Sequence, residues 1–105
     1  MKSIKLTLIM SAILGLLSLN SCQPEPVACF EASPMAISSG QSVSFTSTCS
    51  MDAHHFEWNF GDGGTSMDAS PSHVYNTSGS YTVRLKTVSK NGKKKDETSK
   101  TITVN

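Results

Sequence analysis

From His55 to Phe60 the chain alternates strictly: Phe56, Trp58 and Phe60 are apolar, and the polar Glu57 and Asn59 stand between them. A period of two is the repeat of an extended strand with one dry face and one wet face. The strand stops at Gly61-Asp62-Gly63-Gly64, because glycine takes positive φ at no steric cost and Asp62 can accept backbone N–H bonds inside a tight turn. The same alternation returns in Ser42 to Thr48, which buries Val43 and Phe45, and in Tyr81, Val83 and Leu85, continuing to about Thr87. A last strand, Glu97 to Val104, buries Ile102 and Val104. Shorter segments complete the set. Val27 to Ala32 is a first strand ended by Ser33-Pro34, His73 to Tyr75 a short one, and the polar, proline-bearing Thr65 to Ser72 suits a brief edge strand or loop. Turn chemistry at Ser38-Ser39-Gly40, Asn76-Thr77-Ser78-Gly79 and Asn91-Gly92 separates them. The pattern predicts an all-β antiparallel sandwich of about seven strands.

Pairing can be read one step further. A hairpin centred on Asn91-Gly92 sets Ile102 opposite Tyr81, two core residues, and Lys100 opposite Val83. A lysine facing a core valine implies a bulge or a longer loop. A reversal near Ile37 to Gly40 brings residue 29 opposite the region 47 to 49.

Trp58-Asn59-Phe60-Gly61-Asp62-Gly63 resembles the signature of PKD domains (polycystic kidney disease repeats), usually Trp-Asp-Phe-Gly-Asp-Gly, with Asn59 in place of the first acid. The resemblance extends upstream through Ala28 to Pro34 and Val43 to Thr46, and downstream through Pro71 to Tyr75 and Gly79 to Val83. It covers roughly residues 26 to 105. It implies an immunoglobulin-like sandwich that serves outside the cell as a spacer or as a protein- or carbohydrate-interaction module, and that is not itself catalytic. Trp58 and Tyr81 fill the places of the buried tryptophan and the tyrosine corner of immunoglobulin domains. The cysteines that link the sheets there have no counterpart: Val83 follows Tyr81, and the second strand offers Val43 and Phe45. The core is expected to be held by packing alone.

Met1 to Lys5 is a short basic start, and Leu6 to Leu17 is an apolar run broken by Thr7, Ser11 and Gly15, which reads as a secretory signal. The run falls short of the ~20 residues that a spanning helix needs. Leu19-Asn20-Ser21-Cys22 resembles a bacterial lipobox, which implies cleavage before Cys22 and acylation of that cysteine with palmitate-like chains; several chains anchor stably where one does not. The expected organisation is a signal peptide over 1–21, a lipidated Cys22 with a stiff Gln-Pro-Glu-Pro tether over 22–26, and the sandwich over 27–105. A lipid-anchored protein of the bacterial cell envelope follows, at the outer membrane or cell surface, monomeric and attached through its N-terminal lipid.

Loss of residues 1–21 leaves seven Lys and Arg against eight Asp and Glu, a net charge of −1, so nothing favours a nucleic-acid partner. It also leaves Cys29 and Cys49 as a pair, which in an oxidising compartment reads as a disulfide. A loop of about twenty residues makes that bond worth about 3 kcal/mol. Parity resists slightly: Phe30 and Phe45 face the core, so Cys29 turns outward while Cys49 shares the parity of Phe45, and a bulge near Thr48 would reconcile them.

Candidate chemistry is sparse. There is no Gly-x-Ser-x-Gly elbow, His-Glu-x-x-His helix or P-loop, and no catalytic residue or cofactor is expected. His54 and His55 are adjacent on an extended chain and point apart, leaving His73 as their one imidazole partner. Ser72, His73 and Asp68 form a triad only on paper. Asp62 and Asp68, with Asp52, are the weak calcium candidates, as loop oxygens of a calcium-stabilised adhesion module. Sugar binding by stacking needs an exposed ring, yet the aromatics are mostly allotted to the core. Lys93-Lys94-Lys95 is a candidate contact for anionic surface glycans, but an exposed lysine cluster at a hairpin tip reads first as a guard of the edge against aggregation.

Overall fold

A computed structural model of the chain describes residues 24–105; the predicted signal segment, Cys22 and Gln23 lie outside them. Eight strands run in order: β1 (Glu31–Ser33), β2 (Ala36–Ile37), β3 (Ser42–Thr46), β4 (His55–Asn59), β5 (Thr65–Ser66), β6 (Ser72–Val74), β7 (Gly79–Val88) and β8 (Lys95–Val104). They build a three-stranded sheet, β1-β3-β6, and a five-stranded sheet, β2-β8-β7-β4-β5. Each pairing is antiparallel except that of β2 with β8. The two sheets pack face to face as an immunoglobulin-like β-sandwich.

The eighth strand comes from the first expected hairpin. After Ser33-Pro34 the chain leaves the three-stranded sheet and lays Ala36–Ile37 parallel along β8, with Ile37 opposite Val104. Regular pairing in β1 therefore starts only at Glu31, while Val27 makes an isolated bridge to Met51. The brief strand expected within Thr65 to Ser72 is β5, on the edge of the larger sheet.

β7 and β8 pair over their whole length in the expected register, Tyr81 with Ile102 and Val83 with Lys100. The expected bulge does not occur. The loop between them is longer than two residues, closed by Ser89 N–H donating to the Lys94 carbonyl at 2.8 Å, and it stays centred on Asn91-Gly92. Lys100 is accommodated because its stem lies along the core margin while its charge escapes: Nζ sits 5.8 Å from the Phe30 ring centroid and 3.7 Å from Glu31 Oε1.

Phe30, Phe45, Trp58 and Phe60 form the aromatic centre of the core, with ring centroids of successive pairs 5.1 to 6.2 Å apart. Val43, Val83, Leu85 and Ile102 close around them, all fully buried. Each large side chain buried this way contributes about 1.5–3 kcal/mol. Cys29 and Cys49 are bonded, with Cα atoms 5.3 Å apart. No bulge is needed to bring them together. β3 ends at Thr46, and a turn in which Ser50 N–H donates to the Ser47 carbonyl takes Cys49 out of strand parity. Ser50 Oγ secures the crossing, accepting from Cys29 N–H and donating to its carbonyl.

Candidate functional site

The segment Trp58 to Gly64 is bound into the fold by its own side chains and backbone. Asn59 Oδ1 accepts from Gly61 N–H at 2.9 Å, and Asp62 Oδ1 from Gly64 N–H at 3.0 Å. Phe60 N–H donates to the Gly64 carbonyl, closing the turn. Gly61 has φ +88° and lies so near β7 that a Cβ there would stand 2.7 Å from the Thr82 carbonyl oxygen. Asn59 makes its bond through a side-chain oxygen that aspartate shares, so the departure from the family signature leaves this contact intact.

Three further bonds tie the segment to the rest of the sandwich. Trp58 Nε1–H donates to the Asp68 carbonyl at 2.7 Å, the buried Tyr75 hydroxyl donates to the Phe60 carbonyl at 2.8 Å, and Asp62 Oδ2 meets His73 Nε2 at 2.7 Å. The His73 ring also stacks on Phe60, with centroids 4.2 Å apart. Burial pushes the Asp62 carboxyl up, but the hydrogen bonds from His73 and Gly64 outweigh it and hold the group below its ordinary range. Burial, with the Asp62 charge near by, pushes the Tyr75 hydroxyl well above its usual range. Tyr81 Oη–H donates to the Thr77 carbonyl at 2.6 Å, which is the tyrosine corner expected at that position.

These contacts decide what the candidate residues can do. His73 pairs with Asp62, so the Ser72, His73 and Asp68 set is not assembled, and Ser72 and His73 are neighbours on one strand with side chains on opposite faces. Asp62 spends both oxygens within the fold, and no group of metal-ligating side chains among the described residues joins it to Asp68 or Asp52. The one such group is Cys29, Glu31 and Cys49, whose sulfurs are consumed by the disulfide. His54 and His55 are exposed at the start of β4. No Phe, Tyr or Trp ring among the described residues is strongly exposed; Phe56 and Tyr81 are half-buried against the core.

The feature that sequence reasoning passed over is on the outer face of the five-stranded sheet. A shallow depression of about 230 Å³ is lined by Glu57, Asn59, Thr65, Arg84, Lys86 and Glu97, together with Trp58. Alternation alone assigns Glu57, Asn59, Arg84 and Lys86 to the wet face. Only the strand order, which sets β4 beside β7 and β7 beside β8, makes them neighbours.

A two-sheet body with a buried tryptophan on its central strand, a tyrosine corner and a glycine-framed acidic turn defines an immunoglobulin-like β-sandwich module. The family model for the PKD domain matches residues 23–104, and the chain belongs to that family. Among solved structures, the PKD1 domain of the Vibrio cholerae metalloprotease PrtV is similar at 35% identity and a TM-score of 0.64, covering 78% of this chain and 99% of that one. The PKD1 domain of Vibrio anguillarum Epp is similar at 32% identity and a TM-score of 0.67, over 79% of this chain and 96% of that one. A solved carbohydrate-binding module of the β-sandwich superfamily, described for its promiscuous specificity, matches at 26% identity and a TM-score of 0.75, over 79% of this chain and 35% of that one. Collagenase ColA of Bacillus cereus is 51% identical over 43 residues, which is 41% of this chain but 4% of the collagenase. The chain thus spans a small part of that enzyme's length.

Proposed function

We propose that the protein is a lipid-anchored, non-catalytic interaction module of a bacterial envelope, in which one PKD sandwich is held off the membrane by a short proline tether. The observation that carries this reading is the adjacency of two signals: the lipobox-like Leu19 to Cys22 ends where the PKD match begins, at residue 23. The Cys29–Cys49 bond agrees with an oxidising compartment. Both Asp62 oxygens and the Phe60 carbonyl of the signature turn are committed to holding the sandwich together, which suits a module that presents a surface rather than performs chemistry. Intact-mass measurement of the protein purified from membranes tests the anchor. The expected species begins at Cys22 and carries acyl chains; a chain without lipid at Cys22 would remove the anchor from the account.

A second reading, glycan binding, is favoured by the similarity to a carbohydrate-binding module. Because no ring stands exposed, a sugar would have to be read by charge and hydrogen bonds. Stabilisation by calcium has weaker support, since Asp62 is already paired with His73. Melting points in calcium and in chelator are expected to coincide.

A further inference from the structure

The outer face of the five-stranded sheet carries two successive rungs of polar side chains. One crosses β4, β7 and β8 as Glu57, Lys86 and Glu97; the next, two residues along, is Thr65, Asn59, Arg84 and Ser99. Lys86 Nζ stands 3.6 Å from Glu57 Oε1. Arg84 is not committed in this way: among the described residues its guanidinium enters no ion pair or side-chain hydrogen bond. Asn59 engages Gly61 through Oδ1 only, so its amide N–H groups are left to donate outward. One rung therefore offers a guanidinium between an amide and hydroxyls, and the other offers carboxylate acceptors about 7 Å away.

The geometry points to a binding site for the hexuronate units of an acidic polysaccharide, with Arg84 at its centre. A planar carboxylate matches the guanidinium fork in a bidentate pair, and Asn59 Nδ2–H donates beside it. Hydroxyls on the far side of the same sugar ring donate to Glu97 and Glu57. This deepens the glycan reading above and rests on it. A neutral sugar lacks the group that Arg84 would receive, and no exposed ring is there to stack on it. An acidic peptide would supply the carboxylate but lacks the ring hydroxyls that donate to Glu57 and Glu97. The depression is open to water, so binding is modest and weakens with salt.

Affinity electrophoresis of the purified full chain in neutral detergent, in native gels containing polygalacturonate, tests the site. Retardation is expected, and Arg84→Gln is expected to weaken it at least tenfold with an unchanged melting point, since that side chain supports nothing else. Lys93→Gln removes the same charge from the β7–β8 loop and is expected to change binding less than twofold. Methyl-esterified polygalacturonate is expected to have no effect. Equal weakening by Lys93→Gln, equal retardation by the ester, or stronger Arg84-dependent retardation by polyglutamate or dextran sulfate would overturn the proposal. Retardation by a neutral polysaccharide that ignores Arg84 would overturn this site and leave the glycan reading standing; no retardation by any of these polymers would overturn the site and leave the lipid-anchored module to its own mass test.

Discussion

Asp62 and His73 meet at 2.7 Å although they belong to different layers: His73 lies on β6 of the three-stranded sheet, and Asp62 in the turn that ends β4 of the five-stranded one. The Tyr75 hydroxyl reaches the Phe60 carbonyl across the same divide. The acidic turn is thus a latch between sheets, and the sequence signature that marks the family is explained here by assembly of the fold.

The latch has a pH signature. Asp62 sits below its ordinary value of 3.8, so its contribution is full above that value and drains as pH falls through the lower, folded-state one. Asp62→Asn is expected to lower the melting temperature at pH 7, and the gap between variant and parent is expected to narrow as pH falls below the ordinary value of 3.8. A gap that stays constant as pH falls below 3.8 would contradict the assignment.

Gly61 and Gly63 both have positive φ, but only Gly61 is pressed against backbone. Gly63→Ala meets strain alone, about 1–2 kcal/mol. Gly61→Ala must also displace the Thr82 carbonyl and is expected to cost about 2 kcal/mol or more beyond that. Denaturant titration of the two variants checks the order.

Trp58→Ala is expected to cost more than about 3 kcal/mol or prevent folding, through the cavity left among Phe30, Phe45 and Phe60 and the loss of the bond to Asp68. A soluble variant melting near the parent would refute this.

Replacing Cys29 and Cys49 together by serine is expected to lose about 3 kcal/mol, the loop-entropy value for their spacing. Thiol titration of the denatured parent under non-reducing conditions is expected to find neither sulfhydryl.

Trp58, Phe60, Val83, Leu85 and Ile102 were legible in the sequence because alternation and burial are the same signal in a half-buried sheet. The register of β7 on β8 was legible because Asn91-Gly92 marks the centre of the loop. Ala36–Ile37 was not, since two residues carry no periodicity and the strand exists only where β8 offers an edge. Lys100 misled for a different reason: a residue counted as polar buries its hydrocarbon and keeps only its charge outside. Asp62 with His73, and Arg84 with Asn59, join residues far apart in the chain. Their pairing is a property of strand order, which local pattern does not encode.

The sulfur link between positions 29 and 49 also shapes how the module would bear a mechanical load. Tension entering from the N-terminal side passes from Cys29 to Cys49 through the covalent bond, bypassing residues 30–48. Roughly 65 Å of polypeptide is thereby withheld from extension, and a pull from that side must act on the segment after Cys49, with β1 and β3 spared as slack.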